Sequence, residues 1–225
     1  MRRHTQLAAA ALYPPIGAVP NTVPDRAGSN DGTNNGAKVA LVDGRSGLDF
    51  DGVNNWVETP LTDFEGQITI EARINPRAWY TSDRDHAHIY RAGNSWLIIR
   101  GSDGALWGRI DVGGSRVQST GGVVSLNETS HVAMSYDEDA LRLYINGLQV
   151  ASTSASGPKD GSATPFGIGT DGSDPDAGFD GFISDLRIWN YARTQSEIQA
   201  DMHKRLTGNE PGLVGYWPMQ YGAHQ

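Results

Sequence analysis

The fold is decided by residues 179–207, FDGFISDLRIWNYARTQSEIQADMHKRLT. The first half of this stretch alternates apolar and polar residues in a broken way, which predicts a β-strand. A Thr-x-x-Glu capping box at Thr194 and Glu197 then predicts the start of a helix. Apolar residues recur every four positions as far as Leu206, and Gly208 is placed to end the helix.

Short strand patterns separated by turn residues fill most of the remaining chain. Asn146-Gly147 lies between two alternating runs and predicts a type I′ hairpin. Residues 101–104, Gly-Ser-Asp-Gly, predict a second hairpin between the runs 96–100 and 105–112. In a chain of 225 residues, this pattern predicts one all-β sandwich.

Four further segments stand in a characteristic order before the strand and helix quoted above. They are GLDFDGVNNWVETP (47–60), ITIEARINP (68–76), HVAMSYDEDALRLYINGLQVAS (131–152) and FGIG (166–169). In this order they resemble the laminin-G-like branch of the concanavalin A-like lectin/glucanase superfamily, also called pentraxin-like jelly rolls. The resemblance implies a two-sheet antiparallel jelly-roll sandwich with one short C-terminal helix. One departure is that Thr129-Ser130 stands where the family often has Trp-His.

Composition limits the classes of partner. The chain has 18 Lys and Arg against 26 Asp and Glu, a formal net charge of −8. Because phosphate binding needs clustered basic residues, this balance argues against nucleic acid as a partner, and the acidity is otherwise a matter of solubility. No run of about 18 apolar residues is present, so the sequence predicts no membrane span. Without cysteine, no disulfide holds the fold, which leaves packing, hydrogen bonds and a bound metal as the sources of its stability.

The chain divides into an arm at residues 1–23, rich in Ala and Pro, and a jelly-roll domain at residues 24–225. The run AAAAL in the arm is too short and too weakly hydrophobic for a convincing secretion signal. Ordering such an arm alone costs about 1–2 kcal/mol of backbone entropy per residue. We therefore expect other protein subunits to hold the arm, with Leu7, Leu12 and Tyr13 buried in the contact.

Catalysis is not expected. Glucanases place an acid and a nucleophile about 5 Å apart on one strand face, but the sequence has no Glu-x-Asp-x-x-Glu pattern. Glu71 stands alone and is predicted to be an exposed strand carboxylate. No Gly-x-Ser-x-Gly motif is present, and His86 and His88 lack the spacing of a helical zinc motif. The sequence thus predicts a protein that is not an enzyme.

A structural calcium ion is implied by the family resemblance. Calcium takes six to eight oxygen ligands from bent, Gly-rich loops, and residues 24–36 form a polar segment predicted to be neither strand nor helix. The resemblance places Asp25, Asn30 and Asp185 at such a site, although Ser184 replaces one usual carboxylate. The alternative is a solvated turn with side chain–backbone hydrogen bonds.

Glycan binding is the other candidate chemistry, since sugar sites pair an aromatic platform with planar polar side chains. Residues 78–88 are predicted to form a loop that offers such a set. Its candidate ligand-binding residues are Trp79, Tyr80, Asp83, Arg84, Asp85 and His86. Trp107 and Arg109 share one strand face and form a second candidate pair. Structural packing is the alternative role for each of these aromatic residues.

Two functional classes follow from these expectations. The first is a surface or decoration subunit of a phage or viral capsid or tail, docked through its arm, whose laminin-G-like body also touches glycans. The second is a carbohydrate-binding module of a secreted or cell-surface protein. The start at Met1 and the arm favour the first class. Both classes predict an extracellular or virion-surface location.

Overall fold

The computed structural model describes residues 14–79, 85–93, 95–170 and 177–221. Within these ranges the chain forms sixteen β-strands and one helix. In chain order they are β1 (Thr22–Val23), β2 (Gly32–Asn35), β3 (Lys38–Val42), β4 (Arg45–Asp51), β5 (Trp56–Thr62), β6 (Ile68–Pro76), β7 (His86–Ala92), β8 (Ser95–Arg100), β9 (Ala105–Val112), β10 (Ser115–Val123), β11 (Ser130–Tyr136), β12 (Ala140–Ile145), β13 (Leu148–Ser154), β14 (Pro165–Ile168), β15 (Asp180–Trp189), α1 (Gln195–Asp201) and β16 (Leu213–Trp217).

The strands form two sheets that pack face to face. Sheet A has the order β1-β2-β5-β14-β7-β8-β9-β10, and sheet B has the order β13-β12-β11-β6-β15-β4-β3, with β16 paired to β15. Every pairing between these strands is antiparallel. The predicted two-sheet jelly-roll sandwich with one short helix is therefore confirmed.

One apolar core fills the space between the sheets. Ile70 and Leu143 of sheet B and Leu106 of sheet A are fully buried in it. Burial of each such side chain contributes about 1.5–3 kcal/mol. On β5 the alternation turns Val57 into the core and leaves the neighbouring Trp56 half-buried and outside it.

The stretch that decides the fold forms β15 and α1, as predicted. Its alternation is broken because Asp185 adopts a φ of 50° and the pairing with β6 shifts register between Ser184 and Arg187. This β-bulge reverses the faces of the residues that follow it. The capping box is also present: the Thr194 side chain accepts from the Glu197 N–H, and the Glu197 carboxylate accepts from the Thr194 N–H.

The helix ends earlier than the apolar spacing predicts. It covers Gln195–Asp201, and Ile198 is its buried residue. The Arg187 guanidinium donates to the carbonyl oxygen of Asp201 at 3.0 Å, which satisfies one of the acceptors left open at a helix end. Leu206 lies beyond the helix and packs beside β16. Within the described ranges, the structure has no helix with the length and apolar character needed to cross a membrane.

Both predicted hairpins are confirmed. Strands β12 and β13 are joined by Asn146 and Gly147, which have φ of 50° and 73°. These left-handed conformations are those of a type I′ turn, and they favour Asn and Gly. Strands β8 and β9 are joined by residues 101–104, as the Gly-Ser-Asp-Gly sequence predicts.

The segment 24–36 is more regular than its composition predicts. Residues 32–35 form β2, which pairs with β1 on one side and β5 on the other. The prediction that no strand forms here is wrong, because ladder hydrogen bonds come from the backbone and tolerate polar side chains. The part of the segment before Gly32 is a loop.

The described part of the predicted arm lies on the sandwich. The Gly17 N–H donates to the Val39 carbonyl at 2.7 Å, and the Val39 N–H donates to the Ala18 carbonyl at 2.8 Å. Farther along, β1 joins sheet A and Val23 is fully buried. Residues 1–13, which include the apolar residues assigned to a partner contact, lie outside the described ranges. Docking through the arm therefore stays a prediction.

Candidate functional site

The outer face of sheet A carries an aromatic pair on strands β8 and β9. Trp96 and Trp107 point away from the core because their neighbours Leu97 and Leu106 point into it. The two ring centroids are 4.9 Å apart, and the rings meet edge to face at 82°. Both side chains are half-buried, so large apolar rings remain accessible on this surface.

Planar polar side chains lie in register with this pair. Arg109 is directly opposite Trp96 in the β8–β9 ladder, and its guanidinium carbon is 5.7 Å from the Trp96 ring centroid. Arg91 on β7 faces Trp96 from the other side, and Gln118 on β10 faces Arg109. The row Arg91–Trp96–Arg109–Gln118 therefore crosses four adjacent strands and spans about 14 Å, given a strand spacing of about 4.8 Å.

These five residues, Arg91, Trp96, Trp107, Arg109 and Gln118, are called the aromatic surface below. Its apolar ring faces suit a ligand with C–H groups on one side. Guanidinium and amide groups are planar and present paired hydrogen-bond donors, which suit a ligand with neighbouring hydroxyls or carboxylates at its edge. The sheet backbone holds both kinds of group in fixed relative positions.

The predicted glycan loop contributes Trp79 to the fold. The Trp79 indole N–H donates to the Val124 carbonyl at 2.8 Å, and the ring packs against the core. The ring also lies so close to Gly104 that a Cβ there would collide with it. One side of the Trp79 ring therefore packs on the sandwich.

The rest of the predicted loop is described only in part. Asp85 is exposed, and its carbonyl oxygen accepts from the Gly101 N–H at 2.8 Å. The His86 ring lies edge to face with the His88 ring at 5.0 Å. The remaining candidates, Tyr80, Asp83 and Arg84, lie outside the described residues. Ligand binding by this loop stays a prediction.

Both carboxylate oxygens of Asp25, a predicted calcium ligand, already accept hydrogen bonds from the protein. Its Oδ1 accepts from the N–H groups of Ala27 and Tyr216, each at 2.9 Å. Its Oδ2 accepts from Asn30 twice, from the backbone N–H at 3.1 Å and from the side-chain amide at 3.0 Å. Asn30 therefore presents its amide nitrogen to the carboxylate, whereas a cation would need the amide oxygen.

Both carboxylate oxygens of the third predicted ligand, Asp185, also have protein partners. Its Oδ1 accepts from the Tyr216 hydroxyl at 2.9 Å, and its Oδ2 pairs with Arg45 at 3.0 Å. As oriented, these side chains do not fit a calcium ion. In the part of the chain that the structure describes, no cluster of three or more His, Asp and Glu residues is arranged to hold a metal. Calcium binding remains a sequence prediction.

Glu71 is fully buried, so the prediction that it is exposed is wrong. Its Oε1 lies 2.7 Å from Arg193, its Oε2 lies 3.1 Å from His131, and Arg187 follows at 3.6 Å. Alternation does place Glu71 on the outer side of sheet B, but helix α1 and the turn before it cover that face. The polar face of β6 is therefore covered by another part of the chain, whereas the sequence pattern predicts that it is exposed to solvent.

The environment of Glu71 keeps its carboxylate charged. Burial raises the pKa of Glu71, but the hydrogen bond with His131 and the positive charges of Arg193 and Arg187 lower this pKa from 4.5 to about 2. A carboxylate that is enclosed and ionised at neutral pH can neither donate a proton nor reach a substrate. Glu71 is therefore a structural residue.

Sequence reasoning found part of the aromatic surface. It placed Trp107 and Arg109 on one strand face, and the structure confirms this. It missed Trp96, although the signal was present: counting outward from the 101–104 turn pairs Arg100 with Ala105 and therefore Trp96 with Arg109. The contribution of Arg91 depends on the order of β7 and β8 in sheet A, which a local pattern does not fix.

Known protein families and solved structures include proteins with the same fold. The family model for the concanavalin A-like lectin/glucanases superfamily matches residues 51–199. The native heptameric SAP-like pentraxin from Limulus polyphemus has a TM-score of 0.59 and 18% identity, over 80% of this chain and 92% of the pentraxin. Domain 4 of a GH43 extracellular arabinanase from Geobacillus stearothermophilus, solved with arabinotriose, has a TM-score of 0.59 and 20% identity, over 81% of this chain and 98% of the domain.

A third solved structure is similar over a shorter part of its own length. A protein from Bacteroides ovatus described as carbohydrate-binding has a TM-score of 0.56 and 22% identity, over 71% of this chain and 52% of that protein. At these identities the solved structures establish a shared fold. No curated protein sequence matches the chain.

Proposed function

The chain belongs to the concanavalin A-like lectin/glucanases superfamily, and on that premise we propose that it is a carbohydrate-binding module. The ligand lies on the aromatic surface, with a sugar ring packed against Trp96 or Trp107. The observation that carries this proposal is the pairing of the two indole rings, 4.9 Å apart, on an outer sheet face with the Arg109 guanidinium over the Trp96 ring.

The physical basis is the two-sided character of a sugar ring. One side of the ring presents C–H groups, which pack on aromatic faces, whereas the hydroxyls at its edge need hydrogen-bond partners. Arg109 lies one strand from Trp96 and Gln118 lies two strands away. A ring centred on Trp96 therefore has planar donors within reach of its edge.

The proposal is tested by titration calorimetry against soluble polysaccharides and oligosaccharides. Arabino-oligosaccharides head the panel, because the arabinanase domain was solved with arabinotriose. Trp96→Ala and Trp107→Ala are each expected to weaken binding at least tenfold, which corresponds to about 1.4 kcal/mol. Thermal unfolding of each variant checks that the sandwich remains intact.

Trp56→Ala is the matched control. Trp56 is also half-buried on sheet A but lies on β5, which β14 and β7 separate from β8. This variant is expected to bind as the parent does. Equal losses for Trp56→Ala and Trp96→Ala would place the site elsewhere, and failure of the parent protein to bind any sugar in the panel would contradict the proposal.

The module binds without catalysis. The fold is of the lectin and binding-domain type, and Glu71 is enclosed in a structural ion-pair cluster. The extracellular arabinanase among the structural neighbours supports an extracellular location for this chain as well. Incubation with any oligosaccharide that binds is expected to return it uncleaved, as mass spectrometry of the sugar can check.

Assembly on a phage or viral particle remains the finer prediction from the sequence. The described residues of the arm use backbone hydrogen bonds to Val39, so a partner chain is not needed to hold that part. The discriminating variant therefore lacks residues 2–13 alone. If the protein is a particle subunit, the shortened chain keeps its melting temperature but no longer incorporates into the particle. Unchanged incorporation would rule out docking through these residues.

A further inference from the structure

Two arginines that line one surface pocket have no partner in the described part of the chain. The pocket has a volume of about 220 Å³, and Arg26, Arg205 and Gln220 contribute to its walls. Both arginines are exposed, and neither guanidinium forms an ion pair or a hydrogen bond with a described residue. The Gln220 amide has no hydrogen-bond partner among these residues either. A chain with a formal charge of −8 therefore leaves two positive charges together in a concave site.

Backbone contacts bring the two arginines together from distant parts of the chain. The Arg26 N–H donates to the Tyr216 carbonyl oxygen at 2.8 Å, which attaches the loop between β1 and β2 to strand β16. Gly208 has a φ of 95° and lies so close to the Arg26 carbonyl group that a Cβ there would collide with it. This close approach requires glycine and places the segment after α1, which carries Arg205, beside the same loop.

The carboxylates on the neighbouring segments are bound to other groups. Asp25 accepts backbone N–H groups with both of its oxygens. Asp185 pairs with Arg45 at 3.0 Å. Glu210, on the segment after α1, accepts from the N–H and the hydroxyl of Thr207 at 2.7 Å and 2.9 Å. Because these acids already have partners, the two arginines of the pocket remain available to an anion from outside the chain.

An apolar pocket of about 160 Å³ adjoins the cationic one. Three residues line both pockets, so the two form one continuous groove; they are Arg26, Pro218 and Gln220. The walls of the apolar part are formed largely by prolines and by the buried residues Met219 and Tyr221. Since an apolar cavity of about 150 Å³ is enough to hold benzene, this part of the groove has room for one ring. The whole is called the terminal groove below.

We infer that the terminal groove binds a phosphate monoester carried on a single ring. Arg26 and Arg205 hold the phosphate, and the ring packs in the apolar part. The charges match, because such an ester carries a charge of about −1.5 to −2 at pH 7, whereas a sulfate ester or a carboxylate carries a single negative charge. The planar N–H fork of each guanidinium also fits phosphate oxygens in pairs, and these charge-assisted bonds are about twice as strong as neutral ones.

Calorimetric titration of the full chain tests this inference with probes that differ in one part at a time. Phenyl phosphate and glucose 6-phosphate are compared with phenyl sulfate, with inorganic phosphate, and with phenol and glucose. At least one of the two phosphate esters is expected to bind about tenfold or more tightly than inorganic phosphate and than its uncharged counterpart. Phenyl phosphate is expected to bind more tightly than phenyl sulfate. The two esters show whether the apolar part prefers an aromatic ring or a sugar ring.

Variants locate the two parts of the ligand. Arg26→Gln and Arg205→Gln are each expected to weaken ester binding about tenfold or more, because each removes charge-assisted hydrogen bonds. Arg116→Gln is the matched control: Arg116 is also exposed and has no ion pair with a described residue, but it lies on β10, at the opposite end of sheet A from β1. Thr22 is exposed and lines the apolar part, so Thr22→Phe should weaken binding of the esters and leave that of inorganic phosphate unchanged. Melting temperatures confirm that each variant is folded.

The inference is independent of carbohydrate binding at the aromatic surface, because four strands of sheet A separate β1 from β8. Absence of ester binding, or equal weakening by Arg116→Gln and the two groove variants, would overturn the site. Inorganic phosphate that binds as tightly as both esters would overturn the assignment of a ring to the apolar part. Phenyl sulfate that binds as tightly as phenyl phosphate would overturn the preference for phosphate. None of these results would change the interpretation of sugar binding at Trp96 and Trp107.

Discussion

The Glu71 carboxylate and the Arg193 guanidinium form a 2.7 Å ion pair in which both side chains are buried. The pair joins strand β6 of sheet B to the turn that precedes helix α1. A second Arg193 nitrogen donates to the Glu197 carbonyl at 2.9 Å, inside the first turn of the helix. The helix is therefore attached to the sheet through a charged contact as well as through Ile198.

Breaking this pair on one side is expected to destabilise the protein strongly. Arg193→Ala leaves the Glu71 charge buried with fewer partners, and such a loss costs about 3–5 kcal/mol. Urea unfolding measures the change. Arg100→Ala is the matched control, because its pair with Asp103 is exposed and its removal should have little effect. Comparable losses in the two variants would show that the buried pair has no special role.

The Glu71 pKa of about 2 predicts acid sensitivity in a defined range. Because this pKa lies below its ordinary value of 4.5, the unfolded chain takes up the proton first as the pH falls. The stabilisation by Glu71 is therefore complete above pH 4.5 and is lost progressively between pH 4.5 and about 2. The total is about 3 kcal/mol, at 1.36 kcal/mol per pKa unit.

Comparison with Glu71→Gln isolates this contribution. The free energy of unfolding of the parent protein is expected to fall more steeply below pH 4.5 than that of the variant. Other carboxylates titrate in the same range, but they are present in both proteins and cancel in the difference. Parallel pH profiles would contradict the lowered pKa of Glu71.

Two side chains of the hydrophobic core, on different strands of sheet B, allow its contribution to stability to be tested. Leu143→Ala and Ile188→Ala remove side chains that are fully buried, and each is expected to cost about 2–5 kcal/mol by leaving a cavity. Leu148 is 61% exposed, so Leu148→Ala should change the stability by no more than about 0.5 kcal/mol. Chemical denaturation of the three variants checks this order.

Local sequence signals predicted the parts of the fold that depend on local chemistry. The capping box at Thr194 and the turn at Asn146-Gly147 are determined by residues close in sequence, and both are confirmed. The helix end could not be predicted in the same way, because Arg187 of β15 supplies the hydrogen bond there from outside the helix.

The environment of Glu71 and the composition of the aromatic surface depend on long-range packing. A lone carboxylate in an alternating strand is indistinguishable from an exposed one until the position of α1 over sheet B is known. Likewise, Arg91 and Trp96 become neighbours of Arg109 only through the strand order of sheet A. Family resemblance gives that order in outline but gives no side-chain contacts.

The Asp25 carboxylate accepts hydrogen bonds from the protein and is not arranged as a metal ligand. Four N–H groups, from Ala27, Tyr216 and twice from Asn30, converge on its two oxygens. Asp25→Ala is expected to destabilise the protein, because donors that are buried and unpaired cost about 1–3 kcal/mol. The melting temperature measures this loss.

The same measurement decides the calcium question. A structural ion stabilises the folded state by mass action and raises the melting temperature as its concentration rises. Because each oxygen of Asp25 and Asp185 already accepts from the protein, we expect equal melting temperatures with millimolar calcium and with a chelator. Magnesium controls for ionic effects. A calcium-specific rise that disappears in Asp25→Ala would show that the Asn30 amide turns over and that the loop binds the ion after all.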